Sequence, residues 1–306
     1  MSIQIIYFFV AFLITAIMGK IIIPILKKCK VGQNEREDGP RSHLRKQGTP
    51  TMGGIIMIFT IVVLSIIIAS VFFLKSEEID NAKQIIAVCL ASIGFGIVGF
   101  VDDFKKLVLK NTEGLNPKLK MLGLLIIATI YTVYLSKYLI IGTDILIPFT
   151  QYYINLPIWF YIPFTIFVML ASTNAVNLTD GIDGLVPTVL AIITGTLSVI
   201  AYKLGFAGIS IFTAIVSGSC IGFLIYNVYK AKVFMGDTGS LLLGGVISSV
   251  AIYMKAPLII IVIAIVPILE TVSVILQVIS FRCTGKRLFR MAPLHHHFEL
   301  SRLERK

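Results

Sequence analysis

Asp180 and Asp183 lie three residues apart in the stretch 174–185, NAVNLTDGIDGL, with Asn174 and Asn177 at the same spacing just ahead of them. Between Lys137 and Lys203 the only other charged residue is Asp144, so the pair separates two long apolar runs with no cation beside it. An ionised side chain at membrane depth costs roughly 2.5–3.5 kcal/mol even on lenient scales, which makes such acids functional candidates by default. Their partner must come from elsewhere in the chain, from a metal or from a substrate. A helical turn would set both acids on one face, while Gly181 and Gly184 suit a loop with open backbone amides equally well. Asparagine donates and accepts at once, which suits a nucleobase edge or a sugar hydroxyl. Local Asx capping is the structural alternative.

Four further stretches offer complementary chemistry. VDD (101–103) ends an apolar run and is followed by Lys105 and Lys106. Neighbouring helix positions point about 100° apart, so Asp102 and Asp103 should not serve one site equally, and one should face in. Lys118 and Lys120, ahead of the next run, are either flanking charges or anion ligands. KQGTPTMGG (46–54) carries Lys46, an anion clamp or a topogenic charge, and Thr51. Its Pro50, Gly53 and Gly54 suit a helix start whose free amides and dipole attract phosphate, or simply punctuate the helix. KVFMGDTGS (232–240) sets Asp237 between two glycines, ahead of Thr238 and Ser240, with Tyr226 and Asn227 just upstream. A carboxylate there can bring Mg²⁺ against phosphate oxygens, or can act as an N-cap. Finally, Glu270 falls inside an apolar run with Gln277 seven residues on, and His295, His296 and His297 follow. Glu270 should face a bundle interior, neutral or paired. Three consecutive histidines cannot all reach one ion comfortably, so anion binding or hydrogen bonding by one or two of them is the better use.

These residues need elements to hold them, and the composition says which kind. With 57% hydrophobic and 14% charged residues over 306 positions and a mean hydropathy of +0.92, the chain is too apolar for a soluble globular protein. It reads as a single all-α, polytopic membrane domain covering 1–306. Nine stretches approach the roughly 20 apolar residues a spanning helix needs: 3–26, 51–74, 85–101, 119–135, 158–173, 185–202, 208–229, 240–254 and 257–281, the eighth being short. Of 27 Lys and Arg residues, 21 follow the odd-numbered spans or flank their inner ends and 5 fall in the alternate connections. The positive-inside bias then sets the N-terminus outside and every candidate segment on the cytoplasmic side, although the count never used the motifs. The +11 charge is topogenic first and favours anionic headgroups or substrates; nothing supports nucleic-acid binding. The first span lacks a basic leader and a cleavage site, so we expect it to be retained. Cys29, Cys89, Cys220 and Cys283 form no CxxC pair and imply no disulfide framework. The aromatic residues between spans four and five fit an interfacial belt. Carboxylates, glycine-edged loops, asparagines and cations on one membrane face describe a site for anhydride phosphates with Mg²⁺, open to the cytoplasm at the lipid boundary.

TPTMGG (49–54), VDD (101–103), NAVNLTDGIDGL (174–185), FMGDTGS (234–240) and PLHHHFE (293–299) resemble, in order and at matching membrane positions, the motifs of the bacterial phospho-N-acetylmuramoyl-pentapeptide transferases. The wider polyprenyl-phosphate N-acetylhexosamine-1-phosphate transferases share the paired aspartates and NxxDGxDGL; TPTMGG and the unbroken HHH favour the muramoyl-pentapeptide branch. The resemblance implies a bacterial inner-membrane enzyme that moves phospho-MurNAc-pentapeptide from its UDP carrier to undecaprenyl phosphate, giving lipid I and UMP. It implies Asp102, Asp103 and Asp237 as catalytic residues, with Asp237 as the Mg²⁺ ligand. It places the uridine near Asn177, Asp180, Gly181 and Phe234, and lets Lys46, Asn174, Asn227 and one or more of His295, His296 and His297 reach phosphates or sugar. Thr51, Lys118, Lys120, Leu178, Asp183, Ser240 and Gln277 complete the implied substrate-binding set. Family members usually add a tenth span after HHHFEL, where this sequence reads SRLERK; a homodimer is compatible with the family. Two alternatives stay open. A sister transferase would use UDP-GlcNAc, and an ion-coupled carrier is motivated by Glu270, although no internal repeat supports one.

Overall fold

The computed structural model describes residues 2–28, 48–75, 78–108, 114–139 and 141–301. Among them are eleven α-helices: α1 (Ser2–Lys28), α2 (Gly54–Leu74), α3 (Ile79–Val108), α4 (Pro117–Lys137), α5 (Ile158–Thr179), α6 (Leu185–Lys203), α7 (Ala207–Asn227), α8 (Gly236–Tyr253), α9 (Ile260–Ile263), α10 (Ile265–Thr284) and α11 (Leu294–Leu300). Eight of these, α1 to α7 and α10, are long and apolar enough to cross a membrane. The eighth expected span, 240–254, is α8, and its difference has a physical reason. Every residue from Thr238 to Tyr253 is buried, because α3 and α5 pack along it and α2 and α6 close the remainder. A helix sheathed by protein need not present an apolar face to lipid, so it tolerates glycines, serines and an acid.

Around that centre, α7 packs against α1 and α6. The outer helices turn apolar side chains such as Phe9, Ile17, Ile130 and Ile275 outward, as lipid-facing surfaces require. Many buried hydroxyls close on their own helices, as Thr213 does on the Ile209 carbonyl and Ser248 on that of Gly244, while Ser198 and Ser217 donate across to the Ser210 and Ala191 carbonyls of neighbouring helices.

Three boundaries differ from the apolar pattern. Helix α3 continues seven residues past 101 and α5 six past 173, because their polar ends find partners in the site. The 257–281 stretch breaks into a 3-10 turn at Pro257–Ile259, the single turn α9, and α10. In one continuous helix the Pro267 ring would meet the Ile263 carbonyl, so the chain kinks at Ala264 and restarts. At the end of the bundle away from Lys27 and Lys28, the aromatic connection forms an antiparallel hairpin, β1 (Asp144–Leu146) with β2 (Tyr153–Asn155). It is tied down by Lys255, which pairs with Asp144 at 3.2 Å and accepts from Leu146 N at 2.7 Å.

Candidate active site

The site is built on the N-terminus of α8. A helix start exposes amides with no intrahelical acceptor, and here the acceptor comes from another helix. Asp103 of α3 takes Asp237 N at 3.2 Å on Oδ1, and Thr238 N at 2.9 Å and the Thr238 hydroxyl at 2.7 Å on Oδ2. Asp237 therefore does not cap its own helix; Asp103 satisfies that end, which leaves the Asp237 carboxylate for other work. The backbones must approach closely for this. A Cβ on Gly99 would overlap the Asp237 carbonyl, and one on Gly54 would overlap the backbone of Gly239.

Asp102 also points inward, contrary to the expectation that only one of the pair would: both aspartates are 3% exposed. The two divide their tasks, Asp103 holding α8 and Asp102 facing cations. One carboxylate oxygen from each of Asp102, Asp103 and Asp237 lies within 4.8 Å of the others. Lys106 Nζ sits 2.6 Å from Asp102 Oδ2 and 2.8 Å from Asp237 Oδ2; Lys120 Nζ lies 2.9 Å from Asp237 Oδ2 and 3.8 Å from Asp102 Oδ2. Leu115 N closes the remaining Asp102 oxygen at 2.7 Å. Three carboxylates against two ammonium groups leave one formal negative charge. The donor set, all hard oxygens without thiolate or imidazole, fits a hard divalent cation.

From α5, Asn177 donates to Asp237 Oδ1 at 2.7 Å and to the Ser240 hydroxyl at 2.9 Å, so both join the cluster. Asn174 donates to the Leu170 carbonyl of its own helix at 2.7 Å, and Leu178 is exposed. Asp180, Gly181 and Asp183 lie in the short loop between α5 and α6 rather than on a helical turn. Asp183 accepts from Ala231 N at 3.3 Å. Buried Asn227 spans the same two loops, taking Gly184 N and giving to the Val233 carbonyl, both at 2.9 Å. Phe234 is half-buried, and its backbone pairs with Pro50 and Gly53.

Of the two readings of 46–54, the contacts at the start of α2 match helix punctuation. The amides of Gly53 and Gly54 are taken by the Phe234 and Met235 carbonyls at 2.8 and 2.9 Å. Thr51 is buried beside Gly236. Lys118 is exposed at the first turn of α4, its amide capped by Asn116; Lys46 lies outside the described residues. The Gln277 amide is spent on the segment after α10, accepting from Leu288 N and Phe289 N at 3.0 and 2.8 Å.

Glu270 does face the interior, and it is paired. His295 Nδ1 lies 3.1 Å from Glu270 Oε2, off hydrogen-bond geometry, while His295 N donates to the same oxygen at 3.2 Å. The His295 ring packs on Gly181, which links Glu270 through His295 to the α5–α6 loop. His296 faces Glu299 at 3.4 Å, and His297 Nδ1 accepts from Arg290 N at 3.2 Å. Lys106 has no assigned role in the sequence reading, yet it joins the cluster. Its i,i+4 spacing from Asp102 was the available signal.

A family model described as glycosyl transferase family 4 matches residues 85–255. A phospho-N-acetylmuramoyl-pentapeptide-transferase of Clostridium perfringens strain 13 is 48% identical over 95% of this chain and 88% of its own length. One from Halalkalibacterium halodurans is 45% identical over 95% and 87%, and one from Acetivibrio thermocellus 44% over 96% and 86%. Three of the five motifs of the sequence reading, VDD, NAVNLTDGIDGL and FMGDTGS, fall within 85–255, and these three build the carboxylate cluster. The chain belongs to the phospho-N-acetylmuramoyl-pentapeptide transferases, within glycosyl transferase family 4.

Proposed function

We propose that the chain transfers phospho-MurNAc-pentapeptide from UDP-MurNAc-pentapeptide to undecaprenyl phosphate, forming lipid I and UMP. The observation that carries this reading is the cluster of Asp102, Asp103 and Asp237 with Lys106 and Lys120, in a chain 44–48% identical to transferases of that name. One substrate is a soluble polyanion and the other a lipid, so the site must meet water and bilayer at once. The charge bias supports a cytoplasmic opening in a bacterial inner membrane.

In the reaction an oxygen of the lipid phosphate attacks the sugar-linked phosphorus of the donor. That P–O bond forms while the bond to the bridging oxygen breaks, and UMP leaves with that oxygen. One phosphoanhydride replaces another, so the step is near thermoneutral. A phosphate monoester has its second pKa near about 6, so the acceptor arrives largely dianionic and little proton transfer is needed. The barrier is anion meeting anion, and charge neutralisation is the main catalytic task. Lys106 and Lys120 carry positive charge to that place, and Asp103 fixes it by holding α8. Asp237, with Asp102 beside it, would hold Mg²⁺, which when bound supplies further neutralisation of the donor phosphates. Asp180, Gly181 and Phe234 would take the uridine, as the family resemblance implies, and Asn177 orients Asp237 from α5. Asp102 as a base toward the acceptor is a separate hypothesis, tested below.

UMP release by the purified chain in detergent with undecaprenyl phosphate and Mg²⁺ tests the reading. Turnover is expected with UDP-MurNAc-pentapeptide and not with UDP-GlcNAc, and should vanish with EDTA or in Asp237→Asn. Turnover with UDP-GlcNAc alone would move the chain to the sister branch.

A further inference from the structure

Two ammonium groups and a divalent cation contend for the same oxygens. Asp103 has both of its oxygens committed to the start of α8, and Asp237 Oδ1 is held by Asn177. Asp102 Oδ1 takes Leu115 N. What remains to face a cation is Asp102 Oδ2 and Asp237 Oδ2, and Lys106 Nζ bridges that pair at 2.6 and 2.8 Å. A Mg²⁺ ligand oxygen lies at about 2.1 Å, with nearly octahedral demands on direction. An ammonium kept on both oxygens would stand a few ångströms from the metal and repel it strongly at a partly dry site.

The two lysines are not equally placed to move. Lys120 is 19% exposed in its side chain, and among the described residues only Asp237 holds it within 3 Å. Lys106 is 36% exposed, in the last turn of α3, and its flexible stem can carry Nζ toward water without shifting the helix that holds Asp102 and Asp103. Lys106 is also the closer rival, since it spans both oxygens.

We propose that Lys106 is an exchangeable counter-cation. It neutralises Asp102 and Asp237 until a divalent cation takes their oxygens, and its freed ammonium then lies at the mouth of the site, where the donor phosphates arrive. The exchange keeps the buried carboxylates compensated at every stage, which matters because an uncompensated buried charge is strongly destabilising. This inference rests on the reading of the cluster as a divalent-cation site.

The test is amine acetylation of the purified full-length chain in detergent, with and without Mg²⁺, quantified by mass spectrometry. Exposed Lys118 serves as the internal reference. Release from the carboxylates should raise the Lys106/Lys118 labelling ratio severalfold on adding Mg²⁺, and Asp237→Asn should abolish the response. Mn²⁺ binding is followed in parallel by electron paramagnetic resonance. Removing the competitor in Lys106→Met should tighten Mn²⁺ binding at least about tenfold, whereas Lys106→Arg should not. Wild-type Mn²⁺ binding with an unchanged or lowered labelling ratio would overturn the exchange and leave the metal site standing. Failure of the wild type to bind Mn²⁺ would overturn both. Should Lys106→Met not fold, the labelling experiment on the wild type decides alone.

Discussion

Asp102 and Asp103 are adjacent in sequence and equally buried, yet their surroundings give them different work. Asp103 accepts three hydrogen bonds at the start of α8, and an amide in its place turns two donors toward donors. Hydrogen bonds to a charged group contribute about 1.5–3 kcal/mol each, so Asp103→Asn should lower the thermal midpoint clearly and reduce turnover through the displaced helix. Asp102→Asn keeps an acceptor for Leu115 N and leaves Lys106 on Asp237. It should hold its midpoint within a few degrees and lose turnover about a hundredfold. A loss that is uniform between pH 6 and 9 would assign Asp102 to ion binding or positioning, and one that varies with pH would assign it to proton transfer. Near-normal turnover across that range would remove it from the chemistry. The two acids were legible in VDD as site residues, but this division was not. It depends on which oxygen meets a helix 134 positions later in the chain, and no local pattern encodes that.

At the level of elements, hydropathy located the spans because each must bury apolar surface in lipid or protein, but it cut α3 and α5 short. Their last turns carry Asp102 to Lys106 and Asn174 to Thr179, polar residues that look like loop until their partners across the site are known. The hairpin between α4 and α5 was invisible for a related reason: it is held by Lys255, from a distant connection. Close approach of α3 to α8 makes a sharper prediction. A methyl group on Gly99 would meet the Asp237 backbone, which cannot yield without moving the site, whereas one on Gly96 would meet the end of the Leu242 side chain at 3.2 Å. Gly99→Ala should therefore cost about 1–3 kcal/mol and most of the turnover. Gly96→Ala should change both little, because a leucine terminus can rotate away. Thermal unfolding and UMP release on the two variants check this, and equal behaviour would mean that the α3–α8 contact does not position Asp237.

On the scale of the whole molecule, the cluster sits at the bundle end shared by the C-terminus of α1 and the N-termini of α2 and α8. The opposite end carries the hairpin. The skew of 21 of 27 Lys and Arg residues toward the site-end connections favours a cytoplasmic site end under the positive-inside rule, and the proposed reaction requires that end to face the water that carries its soluble UDP-linked donor. The chain carries its own probe for this orientation. Cys283 is exposed in the last turn of α10, which runs back from the hairpin end toward the site, while Cys89 and Cys220 are buried. In a Cys29→Ser background, a membrane-impermeant maleimide should leave Cys283 unmodified in intact spheroplasts and label it fully once the membrane is permeabilised. Labelling in sealed spheroplasts would turn the bundle over. It would set the carboxylate cluster on the side without donor, and the transferase reading could not survive it whatever the fit of the residues.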